Sequence, residues 1–196
     1  MTKRQLRNLQ LAACAAACLL VSLALAACHK RGPLGPPWVQ LDMTTEKPFV
    51  EATPPGVTED KVYQQRTAQV GGTTFHVIEQ TTFSRLKWRV HVDDGSYVSF
   101  ITLGFEKPCD KCKFRMGTRS EKKGVTVLYE SDAQAIPPTA PQPVKVSLQD
   151  FADEDVDLLF QIDGQPAAAA GQLPPSVLWA NVALYSRQPQ GAAAGH

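Results

Sequence analysis

The stretch RLKWRVHV, residues 85–92, alternates without a break. Leu86, Trp88, Val90 and Val92 fall on one side, Arg85, Lys87, Arg89 and His91 on the other. A period of two held over a whole segment marks a strand with one face buried and the other in water. Asp93-Asp94-Gly95-Ser96 follows as a turn, and Tyr97 to Phe105 returns as a second strand.

The same reading extends in both directions. Segments 73–80 (TTFHVIEQ), 112–116, 124–130 (GVTVLYE), 143–148, 156–162 (VDLLFQI) and 176–186 (SVLWANVALYS) are further strands. Gly-, Pro- and charge-rich connections separate them, and Pro137–Pro143 and Gly164–Pro175 read as surface loops. Residues 38–60 mix Trp38, Phe49 and Val50 with three prolines, which reads as a first edge strand plus loop. No amphipathic helix of ten residues follows the N-terminal segment. Eight or nine short strands predict an all-β fold, a single antiparallel β-sandwich.

The N-terminus has a different character. Lys3, Arg4 and Arg7 stand in the first ten residues without an acid, and Leu11–Ala27 is apolar or small with Ser22 its one hydroxyl. A basic start followed by such a run is the export pattern. Leu25-Ala26-Ala27-Cys28 resembles the bacterial lipobox, which implies cleavage before Cys28, a diacylglycerol on its thiol and an acylated amine. The run also sits near the lower limit for a membrane-spanning helix, but its many alanines favour the cleaved signal over an uncleaved anchor. Cys14 and Cys18 then leave with the signal. His29 is not aspartate, which in enteric-type sorting points to the outer membrane. Each buried acyl methylene adds roughly 0.8 kcal/mol, so more than one chain anchors stably. The expected divisions are a signal peptide at 1–27, a lipidated N-terminus with a Pro/Gly-rich tether at 28–44, the sandwich at 45–187 and a disordered tail at 188–196.

After cleavage 17 basic and 19 acidic residues remain, a net charge of −2. A nucleic-acid partner would call for a strongly basic domain, so none is expected. Cys109 and Cys112 remain beside the lipidated Cys28, and an exported compartment favours a disulfide between them. A redox pair would need a helix N-terminus. Zinc would need two more ligands, and His29, His76, His91 and His196 do not stand at ligand spacing.

Three segments carry a family resemblance. Residues 144–162 (VKVSLQDFADEDVDLLFQI), 177–185 (VLWANVALY) and 89–104 (RVHVDDGSYVSFITLG) resemble galactose-binding-like jelly rolls, a fold shared by many carbohydrate-binding modules. The resemblance implies a jelly-roll sandwich and a carbohydrate ligand. Trp179, Asn181 and Tyr185 fall in phase on the last strand and are candidates for a sugar platform, with packing of Trp179 between the sheets as the alternative. Arg85, Lys87 and Arg89, with His91 on the same face, are candidates for binding anionic glycans, phosphates or lipid head groups if that face lines a groove, the alternative being a solvated outer face. Asp150, Asp153, Glu154, Asp155 and Asp157 cluster at a turn, where structural calcium competes with simple solvation; no cofactor is expected. Glycosidases need two facing carboxylates rather than a run along a loop, and no nucleophile motif is present. The sequence therefore points to a non-catalytic envelope lipoprotein that recognises carbohydrate. The alternative is a structural or assembly subunit that contacts another envelope protein.

Overall fold

The computed structural model describes residues 36–105, 109, 111–137, 141–164 and 173–187. The expected signal peptide at 1–27, Cys28, residues 28–35 of the expected tether and the expected tail lie outside the described residues. Among the described residues eleven strands run β1 (Trp38–Asp42), β2 (Phe49–Ala52), β3 (Tyr63–Val70), β4 (Thr73–Thr81), β5 (Ser84–Val92), β6 (Tyr97–Phe105), β7 (Lys113–Ser120), β8 (Gly124–Asp132), β9 (Val144–Ser147), β10 (Glu154–Asp163) and β11 (Ser176–Ser186). The first sheet has the order β3-β4-β11-β6-β9, with β1 also on β11; the second has the order β2-β5-β10-β7-β8.

The pairing identifies the topology. β4 pairs with β11, β5 with β10, β6 with β9 and β7 with β8, all antiparallel. That nesting is a long hairpin rolled so that successive strand pairs alternate between two sheets, which is a jelly roll. The expected antiparallel sandwich is what the chain forms.

Every strand expected from residue 73 onward is present, and β7 runs on to Ser120. β3 was not expected. Its sequence, YQQRTAQV, carries little apolar alternation because it forms an edge of the first sheet. The sandwich also begins earlier than the expected residue 45. β1 begins at Trp38, and Met43 and Thr44 are buried, Met43 donating its backbone N–H to Val182 at 3.0 Å. Residues 38–44 therefore belong to the sandwich.

Between the sheets lies an aromatic core. Trp179 meets Phe114, Phe160 and Phe100 edge-on at 4.5, 4.9 and 5.4 Å between ring centroids. Trp88, expected in the core, is buried and packs edge-on against Phe160 at 5.6 Å. Burying one large apolar side chain contributes roughly 1.5–3 kcal/mol, and edge-to-face pairs add about 0.5–1.5 kcal/mol each.

β11 carries a bulge that decides which way its side chains face. Ala180 pairs with Ile101 but Ala183 pairs with Ser99, so one extra residue sits on β11. Asn181 is there at φ 47°, a left-handed conformation that asparagine tolerates better than most side chains. The bulge reverses the alternation: Val177 and Trp179 join the core before it, Val182 and Leu184 after it. It also marks the point where β11 exchanges β4, paired through Ala180, for β1, paired from Ala183.

Candidate functional site on the outer face of the second sheet

Strand β5 turns Arg85, Lys87, Arg89 and His91 outward, as its alternation requires. The register carries these positions across the sheet in three rows. The middle row is Phe49–Lys87–Leu159–Gly117–Val127, one residue from each of the five strands. On one side runs Arg85–Gln161–Arg115–Glu130, and on the other Arg89–Asp157–Arg119–Val125. The middle row is mostly apolar, and Lys87 lies 6.0 Å from the Phe49 ring centroid. Gly117 cannot be enlarged there, since a Cβ would come within 2.4 Å of the Thr126 carbonyl oxygen.

The flanking rows are bound together by charge. Arg85 donates from Nε and Nη2 to Gln161 Oε1 at 2.9 and 2.6 Å, and from Nη1 to Glu51 Oε2 at 3.2 Å. Arg119 grips the same Glu51 with two parallel bonds, Nη1 to Oε1 at 2.5 Å and Nη2 to Oε2 at 3.0 Å. Such a fork-to-carboxylate pair is the strong form of ionic hydrogen bond. Glu51 is the extra residue of a bulge in β2, since Val50 pairs with Leu86 and Ala52 with Arg85, and bulges re-aim side chains. The Arg119 hydrogen bond, reinforced by Arg85, holds the Glu51 carboxyl below the ordinary carboxylate range. Leu159, between the two guanidinium-bearing rows, is only 4% exposed.

Asp157 collects three cations, with Arg89 at 3.3 Å, Lys87 at 3.7 Å and Arg119 at 3.8 Å, and its side chain is 10% exposed. Further out, His91 Nδ1 lies 2.9 Å from Asp155 Oδ1. Arg115 and Lys113 share Glu130, and Arg115 also reaches Asp163. The face is thus a set of planar donors and carboxylate acceptors locked in place around an apolar line.

The structure brings Arg85, Lys87 and Arg89 together here. It separates the other three candidates. Trp179 is 0% exposed and its Nε1 donates to Gln80 Oε1 at 2.9 Å, so it is no sugar platform. Asn181 is exposed at the bulge. Tyr185 stacks on Tyr97, centroids 5.0 Å apart and planes 6° from parallel, with Lys145 Nζ 5.5 Å from the Tyr97 ring. The in-phase reading of 179, 181 and 185 failed because the bulge inserts a residue between them.

Arg119, Gln161 and Glu51 are site residues that the sequence reading passed over. Arg119 had a signal: Lys113, Arg115 and Arg119 alternate with Phe114, Met116 and Thr118. Glu51 had none, because a bulge on a short edge strand leaves no periodic trace. The acidic turn does not act as one group. Asp155 holds His91, Glu154 holds Lys122 and Asp157 holds the three cations. Among the described residues no group of three or more His, Cys, Asp or Glu side chains is placed to hold a metal ion. Cys109 and Cys112 are joined as a disulfide with Cα atoms 5.7 Å apart, buried in the main core.

No family model matches the chain, and no curated protein does. Among solved structures it is similar to the CBM22-1–GH10 modules of Clostridium thermocellum endo-1,4-β-D-xylanase 10B complexed with xylohexaose. Identity there is 8%, over 76% of this chain and 26% of that one, with a TM-score of 0.36. A structure described as "CBM4 structure and function" gives 16% identity over 65% of this chain and 81% of that one, with a TM-score of 0.33. A Paenibacillus sp. cycloisomaltooligosaccharide glucanotransferase complexed with cycloisomaltoheptaose gives 10% identity, 78% and 18% coverage and a TM-score of 0.36. The chain thus spans about a quarter of the first of these and less than a fifth of the third. Likenesses this remote carry no argument about function.

Proposed function

We propose that this chain is a non-catalytic lipoprotein, anchored in the outer membrane through acylated Cys28, whose jelly roll recognises carbohydrate on the outer face of its second sheet. The observation that carries the reading is the three-row arrangement. A row that is apolar except for Lys87 crosses all five strands, roughly 19 Å at ordinary strand spacing, with Phe49 and Val127 exposed at its ends and rows of fixed hydrogen-bonding groups on both sides. A sugar chain has the matching chemistry, since its rings present apolar faces and its rims present hydroxyls.

The same geometry argues against hydrolysis on this face. Glu51 and Asp157 are both taken up by cations, and Glu51 is held in its charged form, the opposite of a general acid. A titration of the full chain with cell-envelope polysaccharides is expected to saturate; no binding at millimolar ligand would reject the carbohydrate reading. For the anchor, Cys28→Ser is expected to abolish acyl labelling and release the protein from membranes. Retained labelling would reject it.

The assembly-subunit reading has one observation in its favour. β8 is one edge of the second sheet and exposes Val125 and Val127 by more than half. Capture of a stoichiometric envelope protein, lost in Val125→Lys with Val127→Lys, would favour it.

A further inference from the structure

We propose that Arg85 and Arg119 form a carboxylate clamp that Glu51 fills in the free protein, and that its ligand is a uronate-bearing glycan whose carboxylate takes the place of Glu51. The inference rests on the carbohydrate reading above and names the class of sugar.

Three observations carry it. The two guanidiniums come from rows on opposite sides of Leu159, yet they converge on one carboxylate, Arg119 through a parallel fork and Arg85 through a single bond. That is the geometry with which arginines receive a carboxylate ligand. The carboxylate they hold comes from an edge strand. Glu51 belongs to a four-residue edge strand with irregular register, paired only to β5, and Phe49 at the start of that strand is 67% exposed. The charge favours an incoming anion as well. Among the described residues the ion pairs of Arg85, Lys87, Arg89 and Arg119 run to Glu51 and Asp157, four cations to two carboxylates, while Glu130 and Asp163 are taken up by Lys113 and Arg115 and Asp155 by His91.

A tethered carboxylate acts at high effective concentration, so a lone carboxylate competes poorly. A sugar chain that adds contacts along the apolar line competes well.

The test uses the full chain in detergent, titrated with tetragalacturonate, its methyl ester and a pentaglutamate peptide. Glu51→Ala is expected to bind tetragalacturonate about tenfold tighter than the unsubstituted protein, and adding Arg119→Ala is expected to erase that gain. The methyl ester is expected to show no gain. Glu51→Gln, which keeps the side-chain size, is expected to show a smaller gain in the same direction and serves if Glu51→Ala does not fold. Equal binding of acid and ester, unmoved by Glu51→Ala, would overturn the clamp and leave carbohydrate recognition standing. Pentaglutamate binding that depends on Arg119, with no saccharide bound, would support the clamp and overturn the carbohydrate reading. No binding of any probe to any variant would overturn both.

Discussion

Trp179 donates its indole N–H to the Oε1 of Gln80, 2.9 Å away between the two sheets, and Gln80 in turn binds both of them. Its Nε2 lies 3.0 Å from Phe160 O and Ser84 Oγ and 3.2 Å from Ser84 O. One buried amide therefore links β4 and β11 of the first sheet to β5 and β10 of the second. A buried polar group with every partner supplied fixes how two layers register, whereas the same group with a partner removed is costly.

This pair yields the first prediction. Trp179→Phe leaves Gln80 Oε1 without its donor and should cost about 1–3 kcal/mol, read as a lower midpoint in denaturant unfolding. Trp179→Ala also opens a cavity and should cost about 3–5 kcal/mol. Neither substitution touches the outer face of the second sheet, so binding measured on the folded fraction should stay unchanged.

Asn181 supplies a second prediction. At φ 47° a β-branched side chain is strained, and Asn181→Val should cost about 1–2 kcal/mol. Asn181→Gly should be nearly neutral, because glycine takes positive φ freely. Thermal unfolding of the two variants distinguishes a required left-handed bulge from an ordinary strand position.

Titration supplies a third. Glu51 is held below the ordinary carboxylate value, first by its Arg119 hydrogen bond and then by Arg85. Its stabilising contribution is therefore present above the unfolded value, near 4.5, and is lost as pH falls through the folded one. His91 runs the other way, because its hydrogen bond to Asp155 raises it above 6.5. That contribution is complete below 6.5 and fades as pH rises through the higher folded value. Glu51→Gln should flatten the acid limb of a stability–pH curve, and His91→Gln should flatten the limb above 6.5. An NMR titration of His91 should give a midpoint above its unfolded value.

The disulfide gives a fourth. Cys109 and Cys112 close a loop with a sequence separation of three, so the entropy they remove from the unfolded chain is small. Reduction under denaturing conditions should add the mass of two hydrogens to one peptide containing both. Cys109→Ala with Cys112→Ala should lower stability mainly through lost packing, because both side chains are buried in the core. A large loss on reduction alone would contradict this.

How much of this was readable in the sequence differs from strand to strand. β5 announced itself because Arg-Leu-Lys-Trp-Arg-Val-His-Val repeats its two faces without exception, and its cations do lie together outside. β10 and β11 were legible as strands because their runs are long and apolar. The faces of β11 were not legible, since one left-handed asparagine reverses the alternation without altering composition. β3 escaped because an edge strand needs little apolar surface. The clamp was half visible: Arg85 followed from alternation, while Glu51 reaches it from 34 positions away through a bulge. Periodicity records regular pairing, and bulges are where that record breaks.

The central claim is that the outer face of the second sheet, and not the aromatic core, recognises carbohydrate. It is tested most directly by titrating the best-binding envelope oligosaccharide against the unsubstituted chain, Gln161→Ala and Trp179→Phe. The account predicts saturable binding, about tenfold weaker in Gln161→Ala, where Arg85 loses the partner of two hydrogen bonds, and unchanged in folded Trp179→Phe. Binding that survives Gln161→Ala but disappears in folded Trp179→Phe would contradict it.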